Sequence, residues 1–160
     1  MPLPQTDSAP ACATWTIHCD GSAVPNPGRM GLGAVITAPD GTRHTLSQAP
    51  HATGCNNEAE LRALMAALRA LPMQQARTLQ VYSDNSILVE QLGGTSPQPI
   101  TRLAALFDEA RALLASFDHV QLQWIPRHRN LEADALARAA LGLPLKLPAK
   151  LPAKPTRRRR

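Results

Sequence analysis

Ile17 to Gly33 reads IHCDGSAVPNPGRMGLG, and the fold turns on how this stretch is parsed. The apolar run Trp15 to Cys19 ends on a carboxylate, Asp20; a Gly/Pro/Asn-rich turn follows, and a second apolar run spans Leu32 to Thr37. Alternating segments bounded by turn residues predict a strand, a tight loop and a returning strand. Asp20 is then expected at the end of the first strand, where the backbone is rigid and the side chain can face an open groove. Asp-Gly is also ordinary hairpin punctuation. Its weight therefore comes from what stands further along the chain.

Working outward, Pro39-Asp40-Gly41 turns the chain into a third strand, Thr42 to Gln48, which completes an antiparallel meander. From Asn56 the period changes: Leu61, Leu64, Met65, Leu68 and Leu71 recur at helical spacing until Pro72. Leu79 to Ser83 reads as a short buried strand and Asn85 to Leu92 as a short helix stopped by Gly93-Gly94. Ile100 to Phe117 is a second long helix, Val120 to Ile125 the fifth strand, and Leu131 to Leu141 a last helix closed by Gly142. The predicted fold class is α/β, with a five-stranded mixed sheet. Its three-strand meander is joined to two parallel strands by right-handed crossovers, with helices on both faces.

With 160 residues, 44% of them apolar, the chain suits one globular domain with an ordinary core. No apolar run approaches membrane-spanning length and MPLPQTDSAP lacks the regions of a signal peptide, so a cytoplasmic protein is expected. Cys12, Cys19 and Cys55 form no metal-ligand spacing, and reduced thiols follow. The net charge of +5 is unevenly spread. Residues 142–160 hold Lys146, Lys150, Lys154 and Arg157 to Arg160 with no acid, which leaves ten basic against twelve acidic residues in the body. Repeated Leu-Pro-Ala-Lys forbids helix and sheet ladder alike, so residues 143–160 read as an extended, disordered basic arm suited to phosphate contacts. Residues 1–12 read as a flexible leader and 13–142 as the folded domain.

Four carboxylates fall at suggestive points of this layout: Asp20 and Asp84 at the ends of the first and fourth strands, Glu60 in the first turn of the long helix, and Asp134 at the start of the last. If the two strands are parallel neighbours, both side chains emerge at one C-terminal edge, where ligands bind in open α/β sheets. Carboxylates converging without matching cations repel one another. Oxygen ligands with no Cys or His cage point to Mg²⁺, with Mn²⁺ as a substitute. Two such ions can activate a water and stabilise the leaving oxygen of an in-line phosphoryl displacement. Metal-dependent phosphodiester hydrolysis is the expectation.

These residues resemble type 1 ribonuclease H. The resemblance is carried by Asp20-Gly21-Ser22 with Asn26-Pro27-Gly28, by Asn56-Asn57-Glu58-Ala59-Glu60-Leu61, and by Ser83-Asp84-Asn85-Ser86. Trp124-Ile125-Pro126-Arg127-His128 and Asn130-Leu131-Glu132-Ala133-Asp134-Ala135-Leu136-Ala137 complete it, in the same order, from about Thr14 to Leu141. It implies a ribonuclease H-like fold and an enzyme that cuts the RNA strand of RNA/DNA hybrids to 5′-phosphate and 3′-hydroxyl ends. It implies Asp20, Glu60, Asp84 and Asp134 as ligands of two metal ions when substrate is bound. Glu58, two residues before Glu60, is not one of them. His128 matches the family's mobile histidine, a proton shuttle or aid to product release. Asn26, Asn56 and Asn57 match hybrid-contacting positions, and Ser86 and Asn130 are expected beside them as substrate contacts. Amides donate and accept at once, as a 2′-hydroxyl requires.

The departures from the family pattern are specific. The basic, Trp-bearing handle that many members insert before the second long helix is reduced here to Gly93 to Thr101. The basic tail is the candidate replacement. Thr53-Gly54-Cys55 stands where relatives place Thr or Arg around a DNA phosphate, and the loop around His128 is short. A monomer without an obligate protein partner is expected. The competing reading is a nucleic-acid-binding or strand-transfer module on the same scaffold.

Overall fold

The structure, a computed structural model, describes residues 13–94 and 100–144. The leader, residues 95–99 and most of the basic tail lie outside the described residues. The elements are β1 (Thr14–Val24), β2 (Gly28–Thr37), β3 (Arg43–Gln48), β4 (Thr53–Gly54), α1 (Asn56–Ala70), β5 (Thr78–Ser83), α2 (Ser86–Gly93), α3 (Ala104–Ala115), β6 (His119–Trp124) and α4 (Leu131–Ala140). Single 3₁₀ turns, Thr101–Leu103 and Arg127–Arg129, precede α3 and α4.

Five strands form one mixed sheet in the order β3-β2-β1-β5-β6, and the two-residue β4 pairs with β2 beside it. β1, β2 and β3 are the antiparallel meander, while β5 runs parallel to β1 and to β6. Period-two burial in β5, with Leu79, Val81 and Ser83 inward, turns one face of the sheet to the core. There the Ala- and Leu-rich α1 buries Leu61, Leu64, Met65 and Leu68 against Ile17, Leu79 and Val81, with Phe107 of α3 behind. Each such side chain contributes about 1.5–3 kcal/mol of transfer free energy when fully buried. α4 packs on the opposite face, over β1, β2 and β3.

Three expected boundaries are corrected. β1 does not stop at Asp20 but continues to Val24, because Asp20, Gly21, Ser22 and Ala23 all stay paired with β2, opposite Gly33, Leu32, Gly31 and Met30. The turn is only Pro25-Asn26-Pro27. Glu60 is not in the first turn of α1: the helix begins at Asn56, capped by the Cys55 sulfur accepting from Glu58 N at 3.4 Å, so Glu60 opens the second turn. The second long helix also starts later than Ile100, as the 3₁₀ turn at Thr101–Leu103 has no capping side chain to begin an α-helix earlier.

Candidate active site

Register places the first two carboxylates. Parallel pairing of β1 with β5 ends at Cys19 opposite Ser83. The next residues, Asp20 and Asp84, are therefore neighbours at the point where the strands part. β1 goes on with β2 alone, and the gap becomes a groove.

Two glycines bring in the helices. A Cβ on Gly21 would collide with the backbone of Ala59 and Glu60, so only glycine lets the second turn of α1 lie against β1 and deliver Glu60 to Asp20. On the other face, a Cβ on Gly33, the partner of Asp20, would strike the Ala133 carbonyl. Its absence seats α4 so that Asp134 reaches the same point. Carboxylate oxygens of Asp20, Glu60 and Asp84 all lie within 4.8 Å of one another. Asp134 joins them in a groove of about 340 Å³ that Asn56, Asn57, Asn85, Ser86, Ile87, Arg127 and Arg138 also line.

Burial and mutual repulsion define the electrostatics. Asp20 is 6% exposed. Burial first, then the charges of Asp84, Glu60 and Asp134, push its carboxyl up to about 9. Burial and Asp84 raise Glu60 to about 7, against hydrogen bonds from Asn85 and Asp20 and the Arg127 charge. Burial raises Asp84 too, opposed by Arg127 and by a hydrogen bond from Asn130. Glu60 Oε2 is buried without a hydrogen-bond partner. An orphaned oxygen on a carboxylate that converges with two others fits a hard divalent cation, which would replace the missing donor. The cluster can hold a metal ion.

Residues 18–140 match the family described as "Reverse transcriptase-like". RNase H1 of Halobacterium salinarum superposes with a TM-score of 0.75 at 31% identity, covering 81% of this chain and 98% of that one. This chain belongs to the type 1 ribonuclease H family. The bifunctional protein Rv2228c of Mycobacterium tuberculosis is 35% identical over 127 residues, 78% of this chain; the chain spans 35% of that relative's length. LC11-RNase H1, solved in complex with an RNA/DNA hybrid, superposes with a TM-score of 0.72 at 29% identity, covering 80% of this chain and 96% of that one.

In this member of the family the remaining expected site residues divide into groups. Asn57 and Ser86 line the groove, and Asn57 Oδ1 accepts from Asn85 Nδ2 at 2.9 Å. Asn56, which also lines the groove, and Asn26 tie the β1–β2 hairpin to α1: Asn56 Oδ1 accepts from Ala23 N at 2.8 Å and Asn56 N donates to Asn26 Oδ1 at 3.1 Å. Asn130 is 2% exposed, and its Nδ2 donates to Cys19 O at 2.9 Å directly behind the carboxylates. That places it as a support for Asp84 rather than on the groove wall. His128 is exposed in the 3₁₀ turn and does not line the groove; its neighbour Arg127 does. Glu58 pairs with Arg62 at 3.1 Å. Sequence reading missed Arg127, Arg138 and Asn85 as groove residues. Arg138 was findable, since it stands four residues after Asp134 on one face of a helix. Asn85 could have been found as the polar residue capping α2, which its Oδ1 does by accepting from Leu88 N at 3.2 Å.

Proposed function

We propose that this chain is an endoribonuclease that hydrolyses the RNA strand of RNA/DNA hybrids, leaving 5′-phosphate and 3′-hydroxyl ends, with two Mg²⁺ ions held when substrate is bound and Mn²⁺ able to substitute. One observation carries the reading: three buried or half-buried carboxylates converge within 4.8 Å at the bottom of a groove, and one of their oxygens lacks any partner. Asp20, Glu60, Asp84 and Asp134 would hold the ions. Bound there, ions of this class supply Lewis acidity toward a phosphodiester and lower the pKa of water.

The chain's own groups supply the rest. Arg127, on the groove wall beside Glu60 and Asp84, offers a fixed cation to a phosphate arriving among the acids. With Asn57 Oδ1 engaged by Asn85, the Asn57 amino group is the donor turned to substrate. A donor there meets a 2′-hydroxyl, the group that separates RNA from DNA. His128, exposed one residue on, is the family-matched histidine, and its role would be to help product leave. The basic residues of the tail add phosphate contacts. The reading places the enzyme in the cytoplasm as a monomer. Among the described residues no helix is long and apolar enough to cross a membrane.

The test is cleavage of an end-labelled RNA/DNA hybrid with and without Mg²⁺ or Mn²⁺, beside RNA and DNA duplexes. Metal-dependent cuts confined to the hybrid's RNA strand are expected. Metal-dependent strand transfer, or binding without cleavage, would overturn the reading.

A further inference from the structure

Trp124 is the last residue of β6, opposite Ser83 and so beside Asp84. It continues the inward row of Val120 and Leu122, both packed on the core, yet it is 50% exposed. The other four aromatic residues are accounted for: Trp15, Phe107 and Phe117 are buried, and Tyr82 stacks on His18 at 4.8 Å. The Trp124 indole is not left to wander. Its Nε1–H donates to the Asp84 carbonyl at 3.1 Å. That bond ties the ring to the backbone of a carboxylate ligand while leaving much of its apolar surface in water. Ile87, 43% exposed, extends apolar surface into the groove from the start of α2, and Arg127 lines the groove three residues after the tryptophan.

An anchored, half-exposed aromatic ring bonded to the backbone of Asp84, a residue of the groove whose wall also carries Ile87 and Arg127, has the composition of a nucleic-acid contact surface. We propose that Trp124 is a substrate-contacting residue whose ring packs against the sugar edge of the RNA strand beside the cleavage site, forming the β6-side shoulder of the groove. This rests on the hybrid-nuclease reading and names a contact that the four carboxylates do not provide. The indole N–H fixes the ring, and the exposed ring meets the ribose.

The chain has only two tryptophans, and Trp15 is 8% exposed, so emission can isolate the ring. Full-length Asp20→Asn and Asp20→Asn/Trp124→Phe proteins are titrated with hybrid in Mg²⁺, with binding followed independently by anisotropy of a labelled strand. The difference between the two emission traces, which belongs to Trp124, is expected to quench or shift as binding saturates. In the otherwise native enzyme, Trp124→Ala should raise KM about 5- to 10-fold with a smaller loss of kcat, while Trp124→Phe, which keeps a ring, should stay within about twofold in KM. Saturable binding with unchanged Trp124 emission would overturn the proposal and leave the nuclease reading standing. Equal KM increases in the Phe and Ala variants would also overturn it, by assigning the effect to the bond with Asp84. If no hybrid binds or is cleaved at all, the nuclease reading falls and the contact with it.

Discussion

At the scale of the residue, Asp20 lies among three other acids on a strand that continues past it, and its proton is held by burial and by their charge. Asp20→Asn keeps shape and removes a ligand charge. Cleavage should fall at least about 100-fold, beyond the loss usual for groups that merely support a metal ligand, while the metal-free melting temperature does not drop; an active Asp20→Asn enzyme would contradict the site. The pH dependence has an unusual sign. Carboxyls raised in the folded state, Asp20 to about 9 and Glu60 to about 7, stabilise the fold fully below their unfolded values near about 4. That contribution is lost as pH rises through the folded values, because the unfolded chain then releases its protons more readily. Metal-free protein should therefore lose stability from this site between about pH 4 and pH 9, and Mg²⁺ should restore it most at the alkaline end. Thermal melts in chelator against Mg²⁺ at several pH values check this. A slope unaltered in Asp20→Asn protein would disprove its origin.

At the scale of the element, the site depends on how closely two helices approach β1 and β2. Gly21→Ala forces α1 away from β1 at the turn that carries Glu60, and Gly33→Ala does the same to α4 and Asp134. Each should cost about 1–3 kcal/mol by overpacking and reduce turnover more than a surface change of equal stability effect, measured by melts and initial rates together. Most elements were legible in hydrophobic period, because strands with one covered face alternate and α1 does not, and the alternation of strands with helices after a meander carried the mixed sheet. The end of β1 was not. Asp20-Gly21-Ser22 carries turn residues, yet pairing with β2 keeps it extended, and covering on both sides erases the alternation. Asp20, Glu60, Asp84 and Asp134 could be picked out as acids at element boundaries. Arg127 could not, because its position depends on a 3₁₀ turn between β6 and α4 that has no side-chain cap to announce it. The burial of Asn130 depends on the Cys19 carbonyl, 111 residues away, and no local pattern encodes it.

At the scale of the whole molecule, charge is divided between an acidic body and a basic arm. Arg138, on the groove wall, donates from Nε to Pro144 O at 3.1 Å, so the last described residue is tied to the groove. The basic residues of 145–160 follow it in sequence. Deleting them should weaken hybrid binding chiefly at low salt, flatten the salt dependence by up to about 0.9 per lost phosphate contact, and spare kcat; titrations at several salt concentrations would show otherwise if the arm touches nothing. The buried thiol of Cys19 bears on the same fold from within. It sits in the central strand with its sulfur toward Tyr82 O at 3.7 Å, and burial, then the nearby acids, hold it well above its ordinary titration range. An alkylating reagent can reach that sulfur only when the middle of the sheet separates, whereas the half-buried Cys55, at the N-cap of α1, needs no opening of the sheet. The chain thus carries its own unfolding clock: the rate of labelling at Cys19, read against Cys55, times how often the floor beneath the acids comes apart and how far cations slow it.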